Sequence, residues 1–142
     1  WRKTRRMGLI LLLAILIATV LAGYLKDYVV ERPRPDLEYL GTELPMDIES
    51  DTTVLGGQGS FPSGHVTRAS ALAFVLGYAL SDRFPRGWIL LWIFPGCMAL
   101  SRIYLLQHHP MDVIGGVLFG IIIAAILADK LKLSEYLNSS KV

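Results

Sequence analysis

The stretch "SRIYLLQHHPMD" (101–112) gathers Arg102, His108, His109 and Asp112 within a dozen residues. Asp112 follows His108 by four positions, which puts both side chains on one face if the backbone is helical. Pro110 opposes a regular helix through the pair, but a helix beginning near Pro110 still brings them close. A carboxylate bonded to one imidazole nitrogen fixes the tautomer and leaves the other nitrogen as a nucleophile or base. Arg102 adds a planar, permanently charged fork that suits a phosphate.

A second polar knot, "FPSGH" (61–65), precedes the apolar run "ALAFVLGYAL". It is expected to open a helix, where backbone N–H groups around Ser63 and Gly64 face outward and favour an anion. Gly64 allows a ligand to approach the backbone closely. His65 is a second imidazole and a candidate proton donor. Lys26 and the "RPRP" run holding Arg32 and Arg34 supply further positive charge, on a segment stiffened by proline. An anion cradle, a nucleophile with an orienting carboxylate and a separate acid together make a set suited to phosphoryl transfer.

These residues need elements to hold them, and the elements are apolar. Of the 142 residues 53% are hydrophobic, and they are bunched into four runs rather than spread as in a soluble domain. The runs predict an all-α, polytopic transmembrane bundle with spans at about 7–25, 66–81, 88–106 and 112–128, in a single domain covering 1–142. An outer loop joins the first two spans over 27–61. The basic start "WRKTRR" before the first run also fits a signal peptide, but that run is long for one, and functional residue types follow it directly. A retained helix is the preferred reading. Cys97 is the single cysteine, so an intrachain disulfide and a thiolate metal cluster are excluded.

Four spans put Arg2, Lys3, Arg5, Arg6, Arg83, Arg86, Lys130, Lys132 and Lys141 on one side, and Lys26, Arg32, Arg34, Arg68 and Arg102 on the other. Positive charge marks the cytoplasmic side, so the second group faces outward. His65, His108, His109 and Asp112 fall on that outer side too. Ionisable residues at a membrane are costly, and their convergence there marks a functional site.

"PSGH" (62–65) and "SRIYLLQHHPMD" (101–112) resemble the second and third signature motifs of the type 2 phosphatidic acid phosphatases. These form the membrane-integrated branch of the lipid phosphate phosphatase and vanadium haloperoxidase-like superfamily. The third motif, S-R-x5-H-x3-D, is met at Ser101, Arg102, His108 and Asp112. The first, K-x6-R-P, is approached with five residues between Lys26 and Arg32-Pro33, or with seven before Arg34-Pro35. Arg34 is the expected match and Arg32 the alternative. The resemblance covers Lys26 to Asp112, and it implies that the chain carries the last four helices of a six-helix core.

By that resemblance His108 attacks phosphorus to give a phosphohistidine, Asp112 orients it, and His65 protonates the leaving group. Lys26, Arg34 or Arg32, Arg102 and the backbone around Ser63 and Gly64 hold the phosphate. No metal or cofactor is implied. The expected partner is a lipid phosphate or diphosphate in the bilayer: a polyprenyl diphosphate, phosphatidylglycerophosphate or phosphatidic acid. Nothing points to a nucleic acid or a protein partner.

Two alternatives stand beside this reading. A lipid phosphotransferase would use the same site. A non-enzymatic metal-binding or transport protein would use His65, His108, His109 and Asp112 as ligands, but it leaves Lys26, Arg34 and Arg102 unexplained. His109 is expected to be interfacial, and Arg68 an anchor or a phosphate contact. Gly116 and Gly120 form a G-x-x-x-G step that predicts close helix packing.

Overall fold

The computed structural model describes residues 2–30, 32–35, 59–80 and 86–131. The acidic stretch 36–51 and the 81–85 turn of the expected topology lie outside these residues. The described residues form four α-helices: α1 (Arg2–Tyr28), α2 (Gly64–Leu80), α3 (Ile93–Tyr104) and α4 (Pro110–Lys130). A 3-10 stretch, Gly87–Trp92, runs directly into α3. The described residues contain no strand, and the fold is a helical membrane bundle.

By length and apolarity, Met7–Tyr28, Gly87–Tyr104 and Pro110–Lys130 suffice to cross a membrane. The expected second span corresponds to α2, which at 17 residues sits at the short end of the range. It is the central helix, packing against α1, α3 and α4. Its buried face is made of small and β-branched residues, among them Val66, Ala69, Ala71, Ala73 and Val75.

The packing is inside-out relative to a soluble protein. On α4 the small residues Gly116, Gly120, Ala124 and Ala128 are buried together with Val113 and Ile123, while Ile114, Leu118, Ile122 and Ile126 face outward. On α1 a ridge of every fourth residue, Ile10, Ala14, Ala18 and Ala22, is buried, and Leu9, Leu12, Leu16 and Val20 are exposed. Small residues let helix backbones approach closely, and outward leucine and isoleucine suit lipid. In water, apolar faces of this extent would drive association.

Gly120 shows how close that approach is. A Cβ there would strike the carbonyl oxygen of Thr67 and come within 2.8 Å of the Ser70 Cβ. At Gly116 it would meet the Ser63 carbonyl oxygen at 2.8 Å. The G-x-x-x-G step is therefore the contact line between α4 and α2. Neighbouring Gly115 makes room for the Phe61 ring, which also meets Phe119 edge-on with centroids 6.3 Å apart.

Candidate active site

α4 starts at Pro110, with His109 as its N-cap and Asp112 in its first turn. Proline is suited to that first position because its missing N–H would have had no helical partner. Asp112 Oδ2 accepts the His109 N–H at 2.8 Å, which stops the open end of the helix and uses the favourable dipole. Its Oδ1 accepts from Arg32 Nη1 at 3.0 Å. Asp112 is fully buried, so this ion pair and the backbone N–H supply the partners that a buried carboxylate requires.

His108 lies just before this helix and is also buried. Its Nδ1 is 2.8 Å from the Ser60 carbonyl oxygen, and 3.8 Å from Asp112 Oδ2. The shorter contact is the hydrogen bond; the longer is beyond hydrogen-bonding reach. A carbonyl only accepts, so Nδ1 carries the proton and Nε2 keeps its lone pair. Burial pushes the His108 pKa down to about 4, with help from the positive charges of Lys26 and Arg34 and against the opposing pulls of Ser60 and Asp112. The ring is therefore neutral near pH 7. The carboxylate expected to hold the imidazole instead fixes the adjoining backbone, and Ser60 holds the ring.

Backbone hydrogen bonds stitch three distant segments together around this histidine. The Ser60 N–H donates to the Arg32 carbonyl at 2.8 Å, and the Ser63 N–H donates to the Asp112 carbonyl at 2.9 Å. The peptide between Phe61 and Pro62 is cis. α2 begins at Gly64, so His65 is in its first turn and partly exposed. A Cβ on Gly64 would lie 3.9 Å from an Arg68 side-chain nitrogen, so Arg68 also stands by this helix start.

Lys26 reaches the site as the next step of the α1 ridge: it follows Ala22 by four and is 7% exposed, in the last turn of its helix. Its carbonyl faces Gly59, where a Cβ would be 2.7 Å away. Arg102, in the last turn of α3, donates from Nη1 to Gln107 Oε1 at 2.6 Å. Its Nε, and the hydroxyls of Ser60 and Ser63, are buried without a hydrogen-bond partner among the described residues. Buried donors without partners are uncommon and call for an explanation.

Two residues of this site were not singled out from the sequence. Ser60 acts through its backbone, which no side-chain pattern reveals. Gln107 had one signal, an isolated amide between Leu106 and His108 in an otherwise apolar approach.

The PAP2 superfamily model matches residues 7–133, a range that includes every residue of the candidate site. The chain belongs to the PAP2 superfamily. It is 33% identical to an undecaprenyl-diphosphatase of Sulfolobus acidocaldarius, over 84% of this chain and 53% of that protein. It is 34% identical to a decaprenylphosphoryl-5-phosphoribose phosphatase of Mycobacterium tuberculosis, over 88% of this chain and 62% of the other. Phosphatidylglycerophosphatase B of Bacillus subtilis is 32% identical, over 87% and 57%. The chain thus spans between half and two thirds of the length of these relatives. No solved structure gives a significant match.

Proposed function

We propose that this PAP2 chain is a membrane-integrated, metal-independent phosphatase that hydrolyses a lipid phosphomonoester or diphosphate through a phosphohistidine on His108. The observation that carries the reading is the state of that side chain: buried, neutral, with Nδ1 committed to a carbonyl and cations close by. In this state Nε2 is the nucleophile. It attacks phosphorus, a P–N bond forms, and the P–O bond to the leaving group breaks. His65 gives its proton to the departing oxygen. Water, activated by the same imidazole, then attacks phosphorus and releases inorganic phosphate, which restores His108.

Lys26, Arg34 and Arg102 neutralise the phosphoryl oxygens, and the Ser63 hydroxyl and the Gly64 N–H donate to them, the Ser63 N–H being engaged by the Asp112 carbonyl. The buried Arg102 Nε and Ser63 Oγ are donors suited to phosphate oxygens. Arg32 has a different task, because its guanidinium is bound to Asp112. This favours Arg34 as the first-motif phosphate ligand. Asp112 orients His108 indirectly, by holding the His109 backbone. The positive charges beside His108 disfavour a bound metal cation, which argues against the metal-transport alternative.

The relatives are named for undecaprenyl diphosphate, decaprenylphosphoryl-5-phosphoribose and phosphatidylglycerophosphate, and this range supports a phosphate borne by a long apolar tail. The positive-inside count supports a site on the extracytoplasmic face. The test is phosphate release by the purified protein from polyprenyl diphosphate, phosphatidylglycerophosphate and phosphatidic acid. Release is expected to survive EDTA, to be blocked by orthovanadate, and to vanish in a folded His108→Ala variant. A strict metal requirement, or near-normal turnover by that variant, would overturn the assignment.

A further inference from the structure

We propose that Gln107 is a positioning residue that aims Arg102 at the phosphate, a role that rests on the phosphatase reading above. The end of α3 is the basis. The Leu106 N–H donates to the Ile103 carbonyl at 3.0 Å, and the Gln107 N–H to the Arg102 carbonyl at 3.1 Å. With Leu106 at φ 52°, these two bonds make a Schellman cap, in which the residue two past the cap folds back over the residue three from the helix end. That pair is commonly apolar. In this chain it is Gln107 over Arg102, and the contact becomes a 2.6 Å hydrogen bond from Nη1 to Oε1.

The consequence lies in the geometry of the guanidinium. Nη1 is the nitrogen on the side of the arginine stem, so engaging it leaves the Nε–Nη2 edge. Two parallel N–H bonds along that edge fit two oxygens of one phosphate. Nε on this edge is buried and without a partner among the described residues, which is the second observation pointing to a ligand. An arginine side chain is rotamer-rich, and fixing it before substrate arrives removes an ordering cost from binding. Leu106 bears the cost of the arrangement, since the left-handed region disfavours a side-chain-bearing residue. The residue after Gln107 is His108, so one turn of chain fixes both the arginine and the nucleophile.

A double-mutant cycle tests this with the full chain, read first on orthovanadate affinity and then on kcat and KM. Gln107→Met keeps the length and removes the acceptor; Gln107→Ala removes the side chain beyond Cβ. Both are expected to weaken orthovanadate about tenfold or more, in line with loss of a hydrogen bond to a charged group. The thermal midpoint without ligand should stay within a few degrees of the parent. In an Arg102→Lys background neither change should weaken orthovanadate further, because the fork they aim is gone. Unchanged affinity in the single variants, or an equal loss in both backgrounds, would overturn the proposal. Because the cycle reads binding, a parent protein that binds orthovanadate but releases no phosphate would sink the phosphatase reading and leave this test intact.

Discussion

At the residue scale the chemistry depends on keeping His108 neutral. Burial and the nearby Lys26 and Arg34 lower its pKa to about 4, well under the ordinary histidine value of 6.5. A lowered pKa keeps the neutral, nucleophilic form present as pH falls, and that form is lost only on passing below about 4. The acid limb of kcat/KM, which reports the free enzyme, is therefore expected near pH 4 rather than between 6 and 7. A limb that stays at the ordinary histidine value in both the parent and a Lys26→Met variant would contradict this. The two arginines of the "RPRP" run should separate in the same experiments. Arg34→Ala should weaken orthovanadate about tenfold, as loss of a charged hydrogen-bond donor does, with little change in thermal midpoint. Arg32→Ala should lower the midpoint, because it leaves the fully buried Asp112 carboxylate without its ion pair.

Helices set the distances between these groups, and the contact between α2 and α4 is the closest. Because a Cβ at Gly120 would collide with the Thr67 backbone, the two helices must separate to accept one. Gly120→Ala is expected to cost about 1–3 kcal/mol, the usual range for an overpacked interface. It should also lower activity, since α2 carries His65 and α4 carries Asp112. Gly8→Ala is the control: nothing lies within 4 Å of its added Cβ, and alanine is the better helix former. Thermal midpoints that shift equally in the two variants would refute the close-contact account. The knot 59–63 depends on the same interface, because Phe61 packs on Gly115 and the Ser63 carbonyl on Gly116.

For the whole molecule the question is which way the bundle faces. The chain is a membrane protein whose exposed helix faces are apolar, and Lys26, His65, His108 and Asp112 gather at one end of it. The orientation proposed from the charge asymmetry faces that end outward, and labelling tests it. In a Cys97→Ser background, a membrane-impermeant maleimide added to intact cells should label Val29→Cys, an exposed position just after α1. It should leave Arg86→Cys unlabelled until the cells are opened. The reverse pattern would move the site to the cytoplasmic face.

The sequence by itself determined the helical membrane bundle and the family, and it singled out most of the candidate residues that the fold brings together. Bunched apolar runs and side-chain spacings are local properties, and they survive without coordinates. The start of α4 at Pro110 and the tight step at Gly116 and Gly120 were legible for the same reason. Tertiary structure decided what holds what. Spacing alone pairs Asp112 with His108, yet Arg32, 80 residues away in the chain, takes the carboxylate, and the Ser60 carbonyl, 48 residues away, takes the imidazole. Lys26 and two possible arginines could not be ranked by counting intervening residues, because the turn after α1 sets which guanidinium points where. Gln107 gained its role only through the left-handed Leu106 and the cap it closes. Such contacts are made by backbone atoms and by chain reversals, which carry no signature in the order of side chains.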